Sequence, residues 1–148
     1  ANTMLAYEKL CLSTKKPDLV IVIGDVNATV ACTIAAKKLY LQVAYLEAGL
    51  RSFDKTMPEE VNRILIDDVT ELFFITEPSG EENLRRENKN ADAIRYVGNT
   101  MIDSLIAFLP AIDESPIRKK LDLHMNFILF KHLNFKHLNF ILTVESPC

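Results

Sequence analysis

Between Tyr45 and Arg63 the chain concentrates ionisable groups that a plain connection would rarely carry. Glu47 ends an aliphatic run, Arg51 follows within one turn of chain, and Glu59, Glu60 and Arg63 crowd the start of a helical pattern. Asp25 occupies the equivalent place after an earlier aliphatic run, Leu19–Ile23. Carboxylates gathered around one carbon suit general acid–base chemistry, in which one group takes a proton and another gives one back. Arginines beside them suit an anion that develops or departs. A third stretch, Gly98-Asn99-Thr100, offers backbone amides at the start of a helix, a contact for an anion or a sugar.

Each of these residues has a plainer reading. Asp25 could cap the helix after it. Thr56 with Glu59 three residues on forms a capping box, with Pro58 suited to the first turn. Glu60 reads as a solvated face or a salt-bridge partner. Arg63 lies four residues after Glu59, the spacing of an intrahelical pair, and Arg51 could pair with the neighbouring glutamates. Gly98-Asn99-Thr100 could simply cap, and Gly49 serves a backbone turn. Glu47, at a strand end, has no cap to serve.

The elements that would position these groups follow from periodicity. Residues 3–13 are loosely helical and close at Pro17, because the residue before a proline resists helical angles. Leu19–Ile23, Val43–Leu46, Leu72–Ile75 and Ile94–Val97 are short apolar runs bounded by turn residues, the mark of parallel strands covered on both faces. Between them, helices are expected from Asn27 or Thr29 as cap to about residue 40, with Val30, Ile34, Ala35 and Leu39 inward. Others are expected after Thr56 with Val61, Ile64, Leu65 and Val69 buried, over 81–88, and from Met101 to Leu109. This alternation predicts an α/β fold, a doubly wound parallel sheet. It places Asp25 and Glu47 past the carboxyl ends of neighbouring strands, where such sheets bind ligands.

At 148 residues, the chain can bury a sizeable core. A net charge of −3 gives no basic footprint, so no nucleic-acid partner is expected. No apolar run reaches the roughly 18 residues of a membrane helix. Three cysteines show no metal spacing; Cys11 and Cys32, in apolar helical patterns, read as buried free thiols in a reducing, cytoplasmic setting. After Pro110, Asp113–Pro116 reads as a linker, and Phe130-Lys-His-Leu-Asn134 recurs unchanged at 135–139. That duplication explains His132 and His137 better than a metal site, since five residues turn a helix by about 140°. A strand is conceivable near Phe127–Phe130. Arg85 and Arg86, amid Glu81, Glu82 and Glu87, read as a solvated helix face.

Gly24-Asp25, Glu47-Ala-Gly-Leu-Arg51, Pro58-Glu-Glu-Val-Asn-Arg63 and Gly98-Asn99-Thr100 with Ile102-Asp103, in that order and at those intervals, resemble the non-hydrolysing UDP-N-acetylglucosamine 2-epimerases over roughly residues 15–109. The resemblance implies a two-domain glycosyltransferase-B architecture. Residues 1–109 would be a partial N-terminal Rossmann-like domain, and 110–148 a linker with a truncated, duplicated start of the C-terminal one. It implies interconversion of UDP-N-acetylglucosamine and UDP-N-acetylmannosamine by elimination and re-addition of UDP, without metal or nicotinamide cofactor, in a homodimer. Asp25, Glu47 and Glu59 match the family's catalytic acids, and Arg63 the arginine of its third motif; Arg51, Gly98, Asn99 and Thr100 join Arg63 as substrate contacts. The chain departs from the pattern at Tyr45, where the family usually has His. It also lacks the Gly-Thr-Arg-Pro-Glu loop and the His-Arg-Arg-Glu-Asn motif, so it is expected to be part of a longer enzyme, upstream sequence included. The alternative is a non-catalytic remnant that binds a sugar nucleotide or a protein partner.

Overall fold

The computed structural model describes residues 1–13 and 15–120, in two compact units that divide between Asp103 and Ser104. The first holds α1 (Asn2–Ser13), β1 (Leu19–Ile23), α2 (Asn27–Lys38), β2 (Gln42–Leu46), α3 (Pro58–Val69), β3 (Leu72–Ile75), α4 (Pro78–Arg86), a 3-10 turn (Ala91–Ala93) and β4 (Ile94–Tyr96). The helix α5 (Thr100–Glu114) begins in this unit and continues into the second, where α6 (Ile117–Lys120) follows. The expectations for the repeat, His124, His132, His137 and a strand near Phe127–Phe130 lie outside the described residues.

The four strands are all parallel in the order β1-β2-β3-β4, so the α/β class and the parallel sheet expected from the sequence hold. Val22, Tyr45 and Phe73 pair across neighbouring strands and so share one face of the sheet. That face carries the core, in which Val43, Tyr45, Phe73 and Ile75 pack with Ala36, Leu41, Ile66 and Leu84. Right-handed crossovers that all step the same way place α2, α3 and α4 over one face. In agreement, α1 packs on α2 and α2 on α3.

Several local expectations are corrected. β1 is an edge strand, and Leu19, Ile21 and Ile23 are exposed, so its aliphatic run is covered on one face only among the described residues. In α2, Val30, Ile34 and Leu39 are only half-buried, and Thr29 and Thr33 take buried places beside Ala35. They can do so because each hydroxyl donates to a carbonyl, Thr29 to Ile23 at 3.0 Å and Thr33 to Thr29 at 2.8 Å. The capping box does not form. Thr56 donates to Asp54 Oδ1 at 2.7 Å instead, and the chain enters α3 with Met57 as N-cap and Pro58 in the first turn. Neither Asn27 nor Thr29 caps α2, whose N-cap is Val26.

The larger correction concerns the face that α3 turns inward. Val61, Leu65 and Val69 are exposed, and the buried residues are Glu60, Ile66 and Asp67. Burying two carboxylates is tolerable only where each is paired and hydrogen-bonded, which directs attention to their partners. α5, for its part, runs through Pro110 rather than ending before it. A proline there removes one helical N–H donor, and the helix carries that loss.

Candidate active site at the carboxyl edge of the sheet

Because the strands are parallel, the residues that follow them share one edge: Asp25 after β1, Glu47 after β2, Glu77 after β3, Gly98 and Asn99 after β4. Helix α3 joins this edge through Arg63. Its Nη1 lies 2.5 Å from Asp25 Oδ2, and its Nη2 2.8 Å from Glu60 Oε2. The Asp25 side chain is 33% exposed, and its carboxylate is therefore both fixed and reachable. It pairs with Arg63 and does not cap α2. Arg63 pairs three residues back with Glu60, not four back with Glu59.

Glu60 is neither on a solvated face nor idle. Only 1% exposed, it accepts the backbone N–H groups of Ser52 and Phe53, each at 3.0 Å, and the Arg63 Nε at 3.0 Å. Burial opposes its charge, but those donors and the Arg63 guanidinium outweigh burial and hold its pKa below the ordinary glutamate value. Asn62, next to Arg63, donates to the Asp25 carbonyl at 2.7 Å and to Asn27 Oδ1 at 3.0 Å. Residue 25 is thus held by its side chain and by its backbone, from two consecutive residues of one helix.

Glu47 turns the corner after β2 with φ of +74°, in the left-handed region that a non-glycine residue rarely adopts. Glu47 and Ala48 donate their N–H groups to the Phe74 carbonyl at 3.0 and 3.2 Å, which anchors the turn to β3. Gly49 follows with φ of +75°, and a Cβ there would run into the backbone of Gly80 in α4. Asp67 Oδ2 accepts the Gly49 N–H at 3.1 Å, and Asn83 Nδ2 donates to the Gly49 carbonyl at 2.9 Å, so the same residue is gripped on both sides of its Cα, from α3 and α4.

Arg51 belongs to this second cluster. Its Nη2 lies 2.7 Å from Asp67 Oδ2 and 2.6 Å from Glu87 Oε2, Nε donates to Glu87 Oε1 at 2.8 Å, and the side chain is 2% exposed. Burial would lower the guanidinium pKa, yet the bonds and charges of Glu87 and Asp67 raise it. Asp67 itself is fully buried, and burial pushes its pKa up to about 6 against the pull of Arg51 and the Gly49 N–H. Tyr45, where the resembling family has His, is 1% exposed; its hydroxyl and Asp67 Oδ1 have no hydrogen-bond partner among the described residues. Burial, and then the charges of Asp67, Asp25 and Glu47, raise the Tyr45 phenol pKa, while Arg63 opposes them. Those four charges therefore bear on one buried ring.

Glu59 is exposed in the first turn of α3. Gly98, with φ of +80°, has open space where a Cβ would stand, and Asn99 Oδ1 caps α5 by accepting the Met101 N–H at 3.0 Å. At about 4.8 Å between strands, the end of β4 stands roughly 14 Å from that of β1, so only an extended ligand reaches both Thr100 and Asp25. Periodicity missed Asp67, Gly80 and Asn83, because their partners are distant in sequence; Glu60 takes the salt-bridge alternative, with Arg63. Asn62 stood within a recognised motif without a role.

The family profile described as UDP-N-acetylglucosamine 2-epimerase matches residues 1–133. The chain belongs to that family. A UDP-N-acetylglucosamine 2-epimerase homolog of Methanococcus maripaludis is 40% identical over 139 residues, covering 94% of this chain and 36% of the relative. The UDP-2,3-diacetamido-2,3-dideoxy-D-glucuronate 2-epimerase of Pseudomonas aeruginosa is 45% identical over 96 residues, 64% of this chain and 27% of the relative. Among solved structures, the Methanocaldococcus jannaschii UDP-GlcNAc 2-epimerase in complex with UDP-GlcNAc and UDP superimposes with a TM-score of 0.75 at 38% identity, over 80% of this chain and 33% of that one. The chain thus spans about a third of the length of the relatives it matches. No helix among the described residues is long and apolar enough to cross a membrane.

Proposed function

We propose that the protein carrying this chain is a UDP-N-acetylglucosamine 2-epimerase, and that Asp25, Glu47 and Glu59 supply the acid–base groups. The observation that carries the reading is the Asp25 carboxylate, held by Arg63 at 2.5 Å yet a third exposed, at the strand edge it shares with Glu47 in its left-handed turn. In this reaction one carboxylate removes the proton from C2 of the hexose. The C1–O bond breaks, and UDP leaves with the bonding pair, giving a 2-acetamidoglucal. UDP then re-adds at C1, while a second carboxylic acid delivers a proton to the opposite face of C2. The chemistry needs groups fixed on two sides of one carbon, and the paired grips of Asn62 and Arg63 on residue 25 supply one such fixture.

On this reading, Gly98, Asn99 and Thr100 meet the far part of the ligand, and Arg63 lies against the sugar. Arg51, enclosed by Asp67 and Glu87, acts by holding the Glu47 turn rather than by touching substrate. Residues 1–109 are read as part of the N-terminal domain and 110–148 as the passage to a second. The reading also carries a homodimer, a cytoplasmic location and a place in cell-surface polysaccharide synthesis. The 45% identity to an epimerase of a diacetamido glucuronate favours one second reading, a related UDP-sugar as substrate.

Proton NMR of each UDP-sugar with the protein in deuterated water tests this. Deuterium should appear at C2 together with the manno epimer, and Asp25→Asn or Glu47→Gln should abolish the exchange without unfolding the chain. Exchange that persists in both variants would make the acid–base assignment wrong. Binding without exchange would leave the non-catalytic remnant.

A further inference from the structure

Phe53 lies in the connection between Arg51 and α3, and two of its properties run against ordinary folding. Its φ is +60°, in the region that bulky residues avoid because the Cβ crowds the backbone. The residue is also 73% exposed, so burial does not offset that strain. The conformation is nevertheless imposed: Glu60 accepts the N–H groups of both Ser52 and Phe53 at 3.0 Å. The same buried carboxylate holds Arg63, which in turn reaches Asp25 at 2.5 Å and Ser52 Oγ at 3.3 Å. One carboxylate therefore fixes the backbone of an exposed aromatic residue and, through Arg63, the candidate acid–base group.

We propose that Phe53 is a substrate-contacting residue, a flat apolar platform for the hexose ring of the sugar nucleotide. This rests on the epimerase reading and adds to it the residue that recognises the sugar. A hexose presents a face of C–H groups that an aromatic ring can cover, whereas the diphosphate is an anion for which a phenyl ring offers nothing. Phe53 and Asp25 are linked in two steps: Glu60 holds the Phe53 N–H and Arg63, and Arg63 holds Asp25. If Asp25 works at C2, the ring stands beside the sugar, with the uracil a ribose and a diphosphate away.

Calorimetric titration of the full-length protein carrying this chain with UDP-N-acetylglucosamine and, separately, with UDP tests the assignment. The variants are Phe53→Gly, Phe53→Asn and Phe53→Tyr. Glycine and asparagine accept a left-handed φ, so both should melt no lower than the parent. Both should bind the sugar nucleotide about tenfold more weakly and UDP with less than about twofold change, while Phe53→Tyr should keep both affinities. Unchanged affinity for UDP-N-acetylglucosamine in Phe53→Gly and Phe53→Asn overturns the proposal, as does an equal loss for UDP, which would place the ring against the nucleotide. Failure of the parent to bind either ligand overturns the epimerase reading and this assignment with it, an outcome distinct from the first two.

Discussion

Arg51 and Arg63 make the same kind of contact to opposite ends. Each guanidinium binds two carboxylates, Asp67 and Glu87 in one case, Asp25 and Glu60 in the other. Each cluster also ties down a backbone segment, Gly49 through Asp67 and Ser52–Phe53 through Glu60. The Arg51 cluster is closed at its centre: the arginine is 2% exposed, and Asp67 is fully buried. The Arg63 cluster is buried at Glu60, its arginine is 12% exposed, and each cluster leaves one carboxylate open, Glu87 at 37% beyond α4 and Asp25 at 33% at the strand edge. Ion pairs of equal geometry therefore divide between holding a turn in place and presenting a reactive group. What separates them is which carboxylate is left facing outward.

The sharpest break of this comparison is removal of each arginine. Arg51→Ala strands the Asp67 carboxylate in the interior, a loss of about 3–5 kcal/mol, against a total stability of roughly 5–15 kcal/mol for a domain. Arg63→Ala leaves Glu60 its two backbone donors and Asp25 its solvent, and should remove only about 1–2 kcal/mol. Chemical denaturation of both variants at neutral pH reads the difference. The double variant Arg51→Met with Asp67→Leu should recover most of the first loss, since an apolar pair leaves no buried charge unpaired. Equal losses in the two single variants would erase the distinction between a closed and an open cluster.

A smaller effect, opposite in sign, separates the two buried carboxylates of α3 by pH. The folded Asp67 pKa is raised from 3.8 to about 6, so its stabilising contribution is complete below about pH 4 and is lost as pH rises through 6. The folded Glu60 pKa lies below its ordinary 4.5, so its contribution is present above that value and is lost as pH falls. Melting curves between pH 3 and 7 should therefore show Glu60→Gln falling behind the parent as pH rises to about 5, and Asp67→Asn gaining on it between about pH 4 and 7. Parallel curves for the two variants would mean that the clusters do not differ electrostatically.

Much of this was legible in the sequence, and the boundary is physical. The strands could be read because aliphatic runs such as Leu72–Ile75 end at turn residues, and a parallel sheet then places Asp25 and Glu47 on one edge. The pairs Arg85–Glu81 and Arg86–Glu82 form on the solvated face as their spacing indicates. Helix α3 was misread because Val61, Leu65 and Val69 mimic a buried stripe at helical spacing. The helix turns Glu60 and Asp67 inward instead, since two arginines and three backbone N–H groups satisfy them. All of those partners except Arg63 come from outside the helix, from residues 49–53, and one-dimensional periodicity does not carry such information. Thr56 failed as a cap for a similar reason, because Asp54 offered its hydroxyl a nearer acceptor.

The smallest expected effect on stability compares two neighbours in the first turn of α3. Glu59 is exposed, and Glu60 is buried under four donated hydrogen bonds and ion pairs. Glu59→Gln should change stability by no more than about 0.5 kcal/mol, whereas Glu60→Gln weakens charge-assisted bonds and should exceed about 1 kcal/mol. The order reverses for chemistry. If Glu59 carries a proton in the proposed epimerisation, its amide removes roughly 10²–10⁴ of the C2 exchange rate, with no change in melting to account for it. Glu60→Gln should slow exchange less, because it acts through the placement of Arg63. Measured side by side on one preparation, melting and C2 exchange should rank the two variants in opposite orders. The same ranking in both would make Glu59 a surface charge and move the acid–base role to Asp25 and Glu47 alone.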